Sequence, residues 1–159
     1  HKNYMQFCNM DNLNFPEFKF SIKIKENKPY IFDPIRKKWV VLTPEEWVRQ
    51  HCIKFLVKIK NIPVGLIQVE KKLNLNRILK RYDIVVYKRN KTIAVLIECK
   101  APSIQLTQKT FDQIARYNIV LKSEYLMLTN GINHFFCQMD YEKGKYLFLP
   151  DLPINLFSE

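Results

Sequence analysis

Two apolar runs separated by a short polar turn constrain this chain more than anything else in it. Ile84 to Tyr87 and Thr92 to Ile97 are rich in β-branched residues and flank Lys88 to Lys91. Strand, turn and strand at this spacing predict a β-hairpin. Both runs are apolar on both faces, which predicts central strands covered on two sides. Yet Asp83 opens the first run, and Glu98 and Lys100 close the second. Charged groups at the ends of buried strands are costly unless they are paired or hold a metal.

The turn sets which side chains share a face. A loop of two residues (Arg89, Asn90) or four (Lys88 to Lys91) predicts Tyr87 opposite Thr92, and hence Asp83 opposite Leu96. Asp83, Leu96, Glu98 and Lys100 then lie on one face, with Asp83 and Glu98 as diagonal neighbours roughly 7–8 Å apart. An odd loop or a bulge would reverse the faces. Two carboxylates so placed can share one hard cation, and Mg²⁺ is commonly held by one or two carboxylates, water and substrate phosphate. Lys100 on the same face could orient or deprotonate a water and oppose phosphate charge. The plainer alternative is an Asp83–Lys100 ion pair with Glu98 facing Arg81. Glu70, on a neighbouring strand, is a further acid within reach.

The charge distribution points the same way. The chain carries a formal net charge of +11, and between Lys54 and Lys100 twelve Lys or Arg residues stand against three acids, Glu70, Asp83 and Glu98. Such a balance suits either a solvated basic surface or a polyanion partner. With 159 residues and 47% hydrophobic side chains, the chain is long and apolar enough to bury one sizeable core. Cys8, Cys52, Cys99 and Cys137 lack zinc-like spacing, and His1, His51 and His134 form no metal set. With no leader or membrane-length apolar run, they read as reduced thiols of a cytoplasmic protein, with His1 either native or added.

Along the chain, Phe18, Phe20, Ile22 and Ile24 alternate with polar residues and predict a strand from Glu17 to Lys25. Tyr30 to Phe32 and Lys38 to Leu42 predict two more, so residues 1–42 read as an N-terminal β-hairpin appendage. Thr43-Pro44-Glu45-Glu46 is a helix start in which Glu46 completes a capping box, and the stripe from Trp47 to Ile59 carries that helix to about Lys60. Leu66 to Leu73 predicts a strand and Asn74 to Lys80 a basic connection. Leu106 to Lys122 predicts a second helix, in which Gln113 and Tyr117 share a face with Lys109 and Arg116 nearby. Tyr125 to Thr129, Asn133 to Met139 and Tyr146 to Leu149 predict three last strands. The segment 43–149 is thus expected to be an α/β core, a mixed sheet flanked by helices, followed by a tail at 150–159. No G-x-x-x-x-G-K-[ST] loop occurs that would power a nucleotide-driven motor.

Asp83 followed by Glu98-Cys99-Lys100 resembles the PD-(D/E)XK nuclease signature, with Tyr82 where that signature usually has proline. Gln113-Ile114-Ala115-Arg116-Tyr117 is similar to the Q-x-x-x-Y motif of type I restriction enzyme R subunits. Thr43-Pro44-Glu45-Glu46-Trp47-Val48-Arg49-Gln50, Glu98-Cys99-Lys100-Ala101-Pro102 and Thr129-Asn130-Gly131 resemble small bacterial proteins named for the N-terminal nuclease domain of those subunits. The resemblance covers Ile31 to Tyr141. It implies a restriction-endonuclease-like core, Mg²⁺ (or Mn²⁺) bound by Asp83 and Glu98, and Lys100 as the catalytic lysine. It raises Glu46 as an extra ligand, beside the capping role. It also places Gln113 and Tyr117 near the site, where with Arg81 and Arg116 they would contact nucleic acid. The implied partners are DNA and other subunits of a defence or repair complex; a non-cleaving nucleic-acid-binding module remains the alternative.

Overall fold

The computed structural model describes residues 10–153, so His1, Met5, Cys8 and the end of the 150–159 tail lie outside the described residues. Three short strands come first: β1 (Ile22–Lys25), β2 (Lys28–Asp33) and β3 (Lys38–Val41), paired antiparallel in that order. The expected strand from Glu17 begins only at Ile22. Its partner β2 stops at Asp33, whose Oδ1 accepts from the Ile35 and Arg36 N–H groups in a tight turn, so the ladder with β1 runs out there. Those two rings pack on His51, and Phe20 also on Trp47.

Helix α1 (Pro44–Lys54) starts as its residues require, with Thr43 Oγ1 accepting from the Glu46 N–H at 3.0 Å. It continues as a π-helical turn, Phe55–Ile59. The wider turn rotates the stripe, leaving Phe55 and Leu56 in the core but Ile59 exposed. A 3₁₀ turn at Val64–Leu66 leads into the main sheet.

That sheet contains β4 (Ile67–Leu75), β5 (Ile78–Tyr87), β6 (Ile93–Cys99), β7 (Tyr125–Thr129), β8 (His134–Asp140) and β9 (Lys145–Leu149), in sequence order. All neighbours are antiparallel except β6 and β7, which are parallel and joined through helix α2 (Gln108–Leu121). One face packs on α1: Ile84, Val86, Val95, Ile97 and Met127 meet Val48, Cys52, Ile53 and Leu56. The other packs on α2: Val85, Leu96, Leu126 and Leu128 meet Phe111, Ile114 and Ala115. Two-sided cover is why β5, β6 and β7 are apolar without alternation. The mixed sheet between helices is the α/β, nuclease-like arrangement the sequence predicts, with a three-stranded sheet in place of the hairpin appendage.

The β5–β6 register departs from expectation twice. The loop has three residues: Lys88 N–H donates to Thr92 O, and Lys91, at φ +70°, closes the turn. A β-bulge then follows, because Tyr87 pairs with Ile93 but Val86 with Val95, leaving Ala94 as the extra residue. Each irregularity slips the register by one residue. Together they slip it by two, so the faces are kept, and Ile84 pairs with Ile97. Beyond that pair the alternation breaks: Ile84 packs on the α1 side but Tyr82 on the α2 side, and Asp83 turns toward Arg49 of α1 instead of lying on the face of Leu96.

The basic connection is also more ordered than expected. Asn74 to Lys80 is the end of a long β4–β5 hairpin, turned by Asn76 and Arg77 at φ +47° and +74°. Two successive positive φ values mark the hairpin turn whose twist matches that of its strands.

Candidate active site

The site lies where β5 outruns β6. The β5–β6 pairing ends at Ile84 and Ile97, and just beyond it Asp83 engages β6 with its side chain. Asp83 Oδ2 accepts from the Cys99 N–H at 2.8 Å, and Oδ1 accepts from Arg49 Nη2 at 2.8 Å. A carboxylate at this level therefore joins both strands to helix α1.

Glu98 is buried, 9% exposed, and among the described residues its Oε1 has no hydrogen-bond partner. Its carboxyl is pushed up to about 8, first by burial and then by the charge on Asp83; Lys80 and Lys100 act in the opposite direction. Near neutral pH Glu98 therefore keeps a proton and can share it with Asp83. Tyr82, fully buried where the signature usually has proline, has a hydroxyl unpartnered among the described residues and a raised pKa, from burial first and then from Glu98.

Lys100 follows the end of β6, fixed by its N–H to Thr129 O at 2.8 Å. Its charge lowers the proton affinity of both Glu98 and Glu45, so its ammonium field reaches the two acids. Among the described residues Lys100 makes no ion pair, and Arg81 reaches Glu70 at 3.9 Å instead of Glu98. The plainer pairing of Asp83 with Lys100 and Glu98 with Arg81 is thus not formed.

Glu46 plays a different part from the reciprocal cap. The capping box is half made: Thr43 Oγ1 serves the Glu46 N–H, but the Thr43 N–H donates to Val41 O. The buried Glu46 carboxylate instead takes Arg49 Nη1 at 2.6 Å, Gln50 Nε2 at 3.1 Å and the Arg36 guanidinium. Arg36 Nε also donates to Asp33 Oδ2 at 2.6 Å, and Gln50 to the same oxygen at 3.0 Å. Glu70 is gripped more loosely by Arg36 at 3.3 Å and Arg49 at 3.4 Å. Arg49 is the hub. Burial works against its charge, but Glu46 and Asp83 more than offset it and raise its pKa.

Asp33, Arg36, Arg49 and Gln50 were not legible as site residues. The available signal was the spacing of Arg49 and Gln50 three and four residues after Glu46, which puts all three on one helix face. Asp33 and Arg36 carried none, since only the docking of the small sheet brings them in.

On α2 the predicted residues divide. The Tyr117 ring lies 3.9 Å from Lys80 Nζ, which also sits 4.8 Å from Tyr82, so Tyr117 borders the site. Gln113 is exposed without a hydrogen bond among the described residues. Arg116 faces away, into a groove with Asp112, Ile119, Met139 and Tyr146.

Among the described residues no three Asp, Glu, His or Cys side chains converge as a ready metal cage. The donor set suits a cation that needs fewer protein ligands. Asp83 and Glu98 face each other, and Glu98 Oε1 is a buried acceptor with nothing to accept. Such a pair could hold Mg²⁺, whose remaining coordination would come from water and phosphate.

The mixed sheet between two helices is a nuclease-like α/β core. The match to the family described as type I restriction enzyme R protein N terminus runs over residues 44–153, and the chain belongs to that family. No curated protein matches the chain. No helix among the described residues is long and apolar enough to cross a membrane.

Proposed function

We propose that this domain is a divalent-cation-dependent nuclease that hydrolyses phosphodiester bonds of DNA. The observation that carries this is the buried Glu98 Oε1 beside Asp83, unpartnered among the described residues, with the charge of Lys100 acting on it. Asp83 and Glu98 would hold Mg²⁺, or Mn²⁺ in its place; bound there, the cation would lower the pKa of an attacking water and offset phosphate charge.

The chain's own groups do the remainder. Glu98 gives up its proton when it becomes an anionic ligand, and Lys100 already favours that change. The Lys100 ammonium can then face a phosphate and donate a hydrogen bond to the oxygen of the attacking water, orienting it. Arg49 keeps Asp83 oriented through Oδ1 while the Cys99 N–H holds Oδ2. Glu46, anchored by Arg36, Arg49 and Gln50, serves to hold Arg49 in place. Glu70 lies on the open side of the same cluster.

The test is cleavage of plasmid and single-stranded DNA with Mg²⁺ or Mn²⁺ by wild type, Glu98→Ala and Lys100→Ala proteins of matched fold. Metal-dependent nicking lost in both variants is expected; undiminished nicking by both would remove these residues from the chemistry. A second reading is favoured by one observation, that Arg49 already neutralises Asp83 and Glu46. A site satisfied this way suits a module that binds nucleic acid, within a larger defence or repair complex, without cutting. Salt-sensitive DNA binding with no Mg²⁺ binding would establish it.

A further inference from the structure

The β4–β5 hairpin continues past the site as an arm, and its two faces differ. On the inner face Leu75 and Tyr82 are buried and Leu73 partly so, packed with the α2 core. Lys80 clamps that face by lying between the rings of Tyr82 and Tyr117. On the outer face the register places Lys72 opposite Arg81 and Asn74 opposite Leu79, and all four are exposed. The same alternation brings Glu70 and Asp83 to the root of this face, as the contact from Arg81 to Glu70 shows. From Lys71 to Tyr82 there are five basic residues and no acid. At the tip Ile78 and Leu79 are 65% and 69% exposed, beside the Asn76–Arg77 turn.

We propose that this arm is a duplex-DNA clamp: its outer face lies along a groove, with Lys72, Arg77 and Arg81 on phosphates and Leu79 against the groove wall. A two-stranded ribbon fits the major groove of B-DNA. From Asp83 to Ile78 the arm spans about 17 Å at roughly 3.4 Å per residue, close to half a helical turn. The charge favours a polyanion, and the outer face leads it to the carboxylates. The inner-face packing of Tyr82 and Lys80 holds the base of the arm in place before it binds, which lowers the entropic cost of docking. This inference rests on the nuclease reading for what the arm delivers, but binding alone measures it.

The experiment uses the full chain in EDTA, a labelled DNA duplex, the corresponding single strand, and anionic phosphatidylglycerol vesicles. Binding is followed by anisotropy or co-sedimentation as salt is varied. The variant is Lys72→Ala/Arg77→Gly; both side chains are exposed, and glycine suits the φ of +74° at Arg77, so folding is retained. The slope of log affinity against log salt for the duplex should fall by about 2. Leu79→Ser should weaken duplex binding with the slope unchanged. An unchanged slope in the double variant, tighter binding of the single strand, or preferential loss of vesicle binding would each overturn the clamp. Wild-type cleavage run in parallel separates the two ideas. A reduced slope without cleavage leaves the arm and removes the nuclease, whereas cleavage with an unchanged slope does the reverse.

Discussion

Replacing Glu98 with glutamine should stabilise the cation-free protein, and increasingly so as pH rises. Burial and the facing Asp83 lift the Glu98 carboxyl from its ordinary 4.5 to about 8. Within that window the folded chain keeps a proton that the unfolded chain has released. The folded state therefore binds more protons, and stability falls as pH rises through the window. From 4.5 to about 8, at about 1.4 kcal/mol per pH unit, the ceiling is roughly 5 kcal/mol. Glu98→Gln imitates the protonated side chain and can donate to Asp83, so it escapes this loss. The assay is urea unfolding of both proteins in EDTA from about pH 5 to about pH 8.5. The variant should be close to wild type at the acid end and more stable by at least about 2 kcal/mol at the alkaline end. Millimolar Mg²⁺ should narrow the gap by stabilising only the wild type, because a bound cation takes the place of the proton. A difference between the two proteins that stays flat across this range would refute the account of a buried, proton-holding Glu98.

Other perturbations probe the surrounding frame. Arg49→Met leaves Glu46 and Asp83 without their shared counter-charge and should cost about 3–5 kcal/mol in urea unfolding, partly recovered by Mg²⁺ if the freed carboxylates gather a cation. Gly131→Ala should lower stability by about 1–3 kcal/mol, read from the thermal midpoint: its φ is +86°, and a Cβ would meet Leu13 Cδ2 at 2.7 Å and Val48 Cγ2 at 3.1 Å. Thr43→Ala should cost about 1 kcal/mol through the lost cap of α1, without changing the affinity for divalent cations.

What the sequence alone determined is local or periodic. The apolar runs at Ile84 and Thr92 dictate central strands because only two-sided cover tolerates them. Thr43-Pro44 sets a helix start through its own cap, and the two-residue spacing of Glu98 and Lys100 puts them on one face of any strand. The faces of Ile84 and Ile97 were also legible, because an odd loop and a bulge, each able to reverse them, cancel in the folded hairpin; the break in alternation that turns Asp83 toward Arg49 was not. The strand-forming character of Asn74 to Lys80 was hidden by its charge, since a ribbon with one solvated face need not be apolar there.

Only the tertiary structure decided which charges meet. Arg49 joins Asp83 from 34 residues away, and Gln50 joins Asp33 from 17. A buried ion network depends on how the helix and the small sheet dock, and no local pattern reports that. The same docking turns Glu46 from a cap into the holder of Arg49, and the end of β5–β6 pairing leaves Asp83 and Glu98 face to face. Sequence specified the strands because hydrophobic periodicity is written residue by residue; the site arises from long-range contacts between elements that are each complete without it.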